Sequence, residues 1–188
     1  MDRFDPAAAG LGCTTLEEIF AMKLIRAFRA ALLALGLGLA FAGPAGAAGA
    51  PAQPVAKFDF DHPTFAHELP FATRQVVIQV SENDPTYWNL VLNNAQNLLD
   101  FFGQENIRVV VVAFGPGLPM LLKNSPVAAR IESENSEGVE FDACHNTMKA
   151  MARKIGHMPV VVPEATVVPA GVARIMQLEH AGFAYLRP

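Results

Sequence analysis

The chain has 188 residues, 52% of them hydrophobic and 17% charged, with a formal net charge of −4 at pH 7. That is too apolar for a disordered polymer and enough for one domain with a core, plus some additional chain. A mild acidic excess without a basic run leaves no electrostatic footprint for nucleic acid, so no such partner is expected.

The additional chain lies at the front. From Met22 the sequence carries three basic residues, Lys23, Arg26 and Arg29, followed by an apolar run from Ala30 to Ala42 and then small residues. This order describes an export signal, with cleavage expected after Ala47 because Ala45 and Ala47 satisfy the small-x-small rule. The apolar run falls short of the roughly 18–20 residues that a membrane-spanning helix needs, so export is preferred to anchoring and no membrane attachment is expected after cleavage. Residues 1–21 make little sense ahead of such a signal. Translation is expected to start at Met22, with residues 1–21 a spurious extension, 22–47 the signal peptide and a periplasmic or secreted destination. The chain has two cysteines, Cys13 and Cys144. Only Cys144 would survive processing, and a lone cysteine has no internal disulfide partner.

Residues 48–73 are rich in Ala and Pro and read as a linker passing into an extended arm. Phe58, Phe60, Phe65 and Phe71 could tack this arm onto the domain or onto a neighbouring subunit. His62 and His67 lack the further ligands that a metal site requires, and no metal is expected.

The domain, residues 74–188, opens with the β-branched run Val76–Val80, a buried strand. Asp84-Pro85 then supplies a cap and a first-turn proline for a helix in which Val91, Ala95, Leu98, Leu99 and Phe102 recur at helical spacing, with Gly103 as the stop. Asn93, Asn94 and Asn97 lie beside that stripe and suit either ligand contacts or interface hydrogen bonds, of which the interface is preferred. Ile107–Phe114 is uninterruptedly apolar, as a central parallel strand covered on both faces should be. The Gly115-Pro116-Gly117 loop behind it lacks the Lys-Ser/Thr of a P-loop and the third glycine of a dinucleotide fingerprint. A tight turn is the simpler reading, and no cofactor is expected. Leu118–Leu122 and Val127–Asn135 read as helical, split at Ser125-Pro126.

In Val139–Met148, Val139, Phe141 and Ala143 alternate with Glu140, Asp142 and Cys144, giving a strand with one apolar and one polar face. The strand runs straight into a helix carrying Met148, Met151, Ala152 and Ile155, closed by Gly156. Thr166–Val168 is a further short strand, followed by a turn at Pro169–Gly171 and a helix with Val172, Ile175, Met176 and Leu178. A last strand follows Gly182. Repeated strand–helix alternation argues for an α/β fold: a five-stranded, mainly parallel sheet with helices on both faces, flavodoxin-like. All strands then end on one rim, where the loops Ser81–Asp84, Gly115–Gly117, Cys144–Asn146 and Pro169–Gly171 converge. Cys144 is the candidate reactive group there, and Asn83, Gly115, Gly117, His145, Asn146 and Gly171 are the candidate ligand-binding residues. A helix amino terminus stabilises a thiolate, and a cationic His145 would help, whereas Asp142 on the same face would oppose. On topology alone an inert and a working thiol are equally open, and the lone cysteine tips the reading slightly toward the working one.

The segments "YWNLVLNNAQNLLDFFG", "VVVVAFGPGL", "FDACHNTM" and "VVPAGVARIMQLEHAGFAYLRP" resemble the DsrE/DsrF-like family of small flavodoxin-like proteins across Val76–Pro188. The resemblance implies assembly into a homotrimer or homohexamer. It also implies, by analogy with the sulfur-relay members, a persulfide carried on the cysteine after the third strand, which is Cys144 here, and a protein that donates or accepts the sulfur. Those members are cytoplasmic, whereas this chain is expected to be exported. A non-catalytic oligomeric module that binds a small ligand, with Cys144 as a packing residue, is the alternative expectation.

Overall fold

In the computed structural model, which describes residues 53–188, the apolar run around Val110 becomes strand β2 (Ile107–Ala113), buried at all 7 positions. β1 (Arg74–Val80) pairs with it in parallel, as does β3 (Glu140–Cys144) on its other side. β4 (Ala165–Val168) extends the sheet beyond β3, and β5 (Ala184–Leu186) pairs with β1. The sheet is five-stranded, in the order β4-β3-β2-β1-β5, with all pairs parallel. The flavodoxin-like arrangement expected from the alternation is present.

The chain steps one way from β1 to β4, then returns across the sheet to β5. Right-handed crossovers therefore place α1 (Pro85–Phe102), α2 (Ala128–Ser136) and α3 (His145–Ile155) on one face and α4 (Gly171–His180) on the other. The packing follows this division. Val76, Ile78, Val80, Val109, Val111 and Phe141 meet Trp88, Leu92, Ile131 and Met148 on the first face. Val77, Val110 and Val112 meet Ile175, Leu178 and Phe183 on the second.

Local chemistry sets the ends of α1. The Asp84 carboxylate accepts from the Thr86 amide at 2.9 Å, Pro85 occupies the first turn, and the Gly103 amide donates to the Leu99 carbonyl at φ +83°. Between β2 and α2 the helical stretch expected over Leu118–Leu122 is a 3-10 helix that begins earlier, Gly115–Leu121. Pro119 within it has no amide to donate, which prevents a regular α-helical ladder. In α4 the inward residues are Gly171, Arg174, Ile175, Gln177 and Leu178, while Val172 and Met176 are exposed, contrary to the apolar stripe expected for this helix.

Arg174 turns inward because β3 presents carboxylates to this face. The Arg174 Nε donates to Asp142 Oδ2 at 2.7 Å, and Arg108 on β2 donates to Glu140 Oε1 at 2.7 Å. All four side chains are nearly or fully buried. The same guanidinium groups bind the arm, since Arg174 donates to the Thr64 carbonyl at 2.8 Å and Arg108 to that of His67 at 2.8 Å. Glu140 accepts from the Ala66 amide at 3.0 Å, and Gln177 donates to the Asp59 carbonyl. Phe65 stacks on Phe183 at 5.8 Å with the Arg108 guanidinium 4.1 Å above its ring, so one of the four expected arm phenylalanines is the anchor. Phe71 is exposed. The arm begins beyond β4, where the Ala56 amide donates to the Val167 carbonyl at 2.7 Å, and joins β1 through Thr73. Residues 53–73 thus form a strap across the sheet. The expected extension and signal peptide, residues 1–47, lie outside the described residues.

Burial pushes Asp142 up to about 6, outweighing the attraction of Arg174. It pushes Glu134 on α2 up to about 7, against the nearby Arg130, whose Nη2 lies 3.0 Å from Glu134 Oε1. Glu134 Oε2 is buried without a partner. A carboxyl whose folded pKa is raised favours the folded state fully below its unfolded value and loses that contribution as pH rises through the folded value. For Glu134 the window runs from 4.5 to about 7. Glu134→Gln is therefore expected to raise the urea midpoint at pH 8 relative to the parent, with little change at pH 4; parallel pH profiles would contradict this. Arg174→Met, which strands Asp142, is expected to cost about 3–5 kcal/mol in urea unfolding at pH 7, and Arg174→Met with Asp142→Leu to recover most of it. A cost below about 1 kcal/mol for the single change would show that the pair does not hold this face.

Candidate functional site

The parallel sheet brings four strand ends to one rim, and their loops are tied to one another by hydrogen bonds. After β1, the Trp88 indole donates to the Glu82 carbonyl at 2.7 Å, fixing the loop that carries Asn83. After β2, the Phe114 amide donates to the Val80 carbonyl at 3.1 Å. Gly115 takes φ +54°, and its amide donates to the Thr147 hydroxyl on α3 at 2.9 Å. After β3, Cys144 is the N-cap of α3, and α3 has no side-chain capping bond. The Asn146 amide reaches the Pro169 carbonyl, behind β4, at 3.3 Å.

Asn83, Gly115, Pro116, Thr147, Met151 and Lys154 line a cleft of about 380 Å³ between this rim and α3. Two of the expected ligand-binding residues, Asn83 and Gly115, are thereby brought together. Gly117 and Gly171 stand elsewhere, and close packing accounts for both. A Cβ on Gly117 would lie 2.3 Å from the Val80 carbonyl oxygen, and one on Gly171 would lie 2.9 Å from the Phe114 Cβ.

Cys144, His145 and Asn146 do not line the cleft. The Cys144 residue is 5% exposed, His145 is half-buried and Asn146 is exposed. Alternation along β3 assigns Cys144 to the face shared by Glu140 and Asp142, whereas the cleft lies on the face of α3 and the 3-10 helix. Thiol and cleft therefore belong to opposite faces of one rim. The Asp142 charge next to this thiol is matched by Arg174 at 2.7 Å, so it is not a bare anion beside the sulfur. Among the described residues, no three His, Cys, Asp or Glu side chains come together in a way that could hold a metal ion.

Sequence reasoning missed Thr147 and Lys154 in the cleft, and Arg108, Glu140 and Arg174 beneath the strap. Thr147 and Lys154, spaced i and i+7, share one side of α3 with Met151. Arg174 is spaced i+3 from Gly171 and precedes Ile175 on the inward side of α4, an arginine within an apolar stripe that had to be neutralised somewhere.

No family model matches the chain, and no curated protein matches it. Several solved structures are similar, among them two of unknown function. A protein of unknown function from Methanobacterium thermoautotrophicum is 29% identical, with a TM-score of 0.55, over 61% of this chain and 99% of its own. A conserved protein of unknown function from Bacteroides thetaiotaomicron is 13% identical, with a TM-score of 0.44, over 64% of this chain and 100% of its own. The first match spans nearly the whole of that chain and supports the same α/β fold.

Because the Gly117 position is filled by the Val80 carbonyl, Gly117→Ala is expected to cost about 3 kcal/mol or more in thermal or urea unfolding, through overpacking against rigid backbone. Gly115→Ala has open space around the new Cβ and is expected to cost about 1 kcal/mol, from its positive φ alone. Equal losses would refute the assignment of Gly117 to packing.

Proposed function

We propose that the chain is a DsrE/DsrF-like sulfur carrier, with Cys144 holding a persulfide. The observation that carries this reading is the place of the only cysteine among the described residues: the carboxyl end of β3 and the N-cap of α3, with no side chain competing for the cap. The first amides of a helix lack intrahelical acceptors. The Asn146 amide is taken by Pro169, which leaves the Thr147 amide, at the third helical position, as the donor for a sulfur anion at the cap. In the transfer step the Cys144 thiolate attacks the terminal sulfur of a donor persulfide. A new S–S bond forms, the old one breaks, and the donor leaves as a thiolate, so no net oxidant is required. The export signal expected in residues 22–47 would place this carrier in the periplasm or outside the cell.

Self-association fits the same reading. Leu90, Asn93, Asn94, Asn97 and Phe101 fall on one side of α1, and Leu90 and Phe101 are exposed large apolar residues. A second copy covering this side would bury both and pair the amides, in keeping with a homotrimer or homohexamer.

A second reading is favoured by one observation, the 5% exposure of Cys144 on the face opposite the cleft. In it, the cleft binds a small ligand and Cys144 only packs. The two separate in one experiment. Polysulfide or thiosulfate treatment of the mature protein, residues 48–188, is expected to add one sulfur, about 32 Da by intact mass, to the parent and none to Cys144→Ser. An unmodified parent thiol under every donor would sink the carrier reading.

A further inference from the structure

Residues 122–124 behind the 3-10 helix, the carboxyl half of α3 and the loop that follows α3 enclose a second cleft that the rim chemistry does not use. It has a volume of about 560 Å³ and shares Met151 with the rim cleft, but lies toward the carboxyl end of α3. Leu122, Met151, Ile155 and Val160 form its apolar walls, and Lys123 and His157 lie among them. The volume is in the usual range for small-ligand pockets, which are apolar with a few polar groups. Ile155 is 48% exposed and Val160 38%, although Ile155 belongs to the apolar stripe that should have been covered.

Charge points to the occupant. Arg108, Arg130, Arg174 and Arg187 each pair with a carboxylate, those of Glu140, Glu134, Asp142 and Glu82. Around the cleft the pattern reverses. Helix α3 carries Lys149, Arg153 and Lys154 and has no acidic residue, and neither these side chains nor that of Lys123 forms an ion pair among the described residues. Six cations lack an ion pair among the described residues, Lys57, Arg74, Lys123, Lys149, Arg153 and Lys154; Lys123 stands in the wall of the cleft, and three of the others stand on α3, the helix that forms one side of it.

We propose that this cleft binds a small amphipathic carboxylate, a medium-chain acyl group whose tail lies between Leu122, Ile155 and Val160 and whose head group meets the Lys123 ammonium. The apolar walls supply most of the affinity, and the cation selects the charged head over a neutral one. This site is independent of Cys144.

The test is a titration of the full protein, labelled with ¹³C-methyl methionine, with decanoate kept below its micelle concentration. The Met151 methyl resonance is expected to shift saturably while that of the buried Met148 stays fixed. Ile155→Glu, at an exposed position, is expected to weaken binding about tenfold or more, and Lys123→Gln about threefold. Decanol is expected to bind more weakly than decanoate, and an unmoved Met148 in both variants reports an intact fold. A Met151 signal indifferent to decanoate would overturn the site. So would equal affinity in the parent and both variants, or binding only to vesicles of anionic phospholipid, which would make this face a membrane-binding surface instead.

Discussion

Two guanidinium groups buried against one face of a parallel sheet are the constraint that the rest of this structure must satisfy. Removing Arg108 and Arg174 from water is unfavourable by several kcal/mol per ion, and a single carboxylate contact does not offset it. The remaining donors need acceptors, and the strap supplies them as the carbonyls of Thr64 and His67. Glu140 in turn accepts from a strap amide. Sheet, α4 and strap are therefore one electrostatic unit: without the strap, two buried cations would keep only part of their hydrogen bonding. A segment with little regular secondary structure is held here by polar complementarity, with Phe65 as its main apolar anchor.

This is also where the sequence could be read least. The five strands follow from runs such as Ile107–Ala113 and from the alternation in Glu140–Cys144, and α1 announces itself through Asp84, Pro85 and Gly103. Those signals are local. The partner of Arg174 is 32 residues away and that of Arg108 also 32, and periodicity carries no information about such pairs. Alternation accordingly shows that β3 has a polar face but not that this face is buried beneath charges from two other elements. The exposed Val172 and Met176 are the same limit seen from α4, since an apolar count over that helix ranks them above an arginine that has a buried partner.

At the rim, the convergence of loops was legible because it is a property of topology. The division of labour within it was not. Glycines at strand ends look alike in sequence, yet Gly115 opens a cleft whereas Gly117 and Gly171 let backbone and Phe114 approach closely. The difference lies in what each missing Cβ would meet. Thr147 went unnoticed for a related reason: its role is to accept a hydrogen bond from Gly115, a contact fixed only once α3 is packed against the 3-10 helix.

The bridge between Val55 and Val167 has a consequence for how copies of this protein can meet. Edge strands with free amides and carbonyls invite pairing with a neighbour's sheet, the first step toward fibrous aggregates. Here the β4 edge is already occupied by the chain's own strap. The opposite edge, β5, is only 3 residues long and is followed by Pro188, which has no amide to offer. Both features limit growth of the sheet by strand addition and favour recognition between copies through side chains on the helical surfaces.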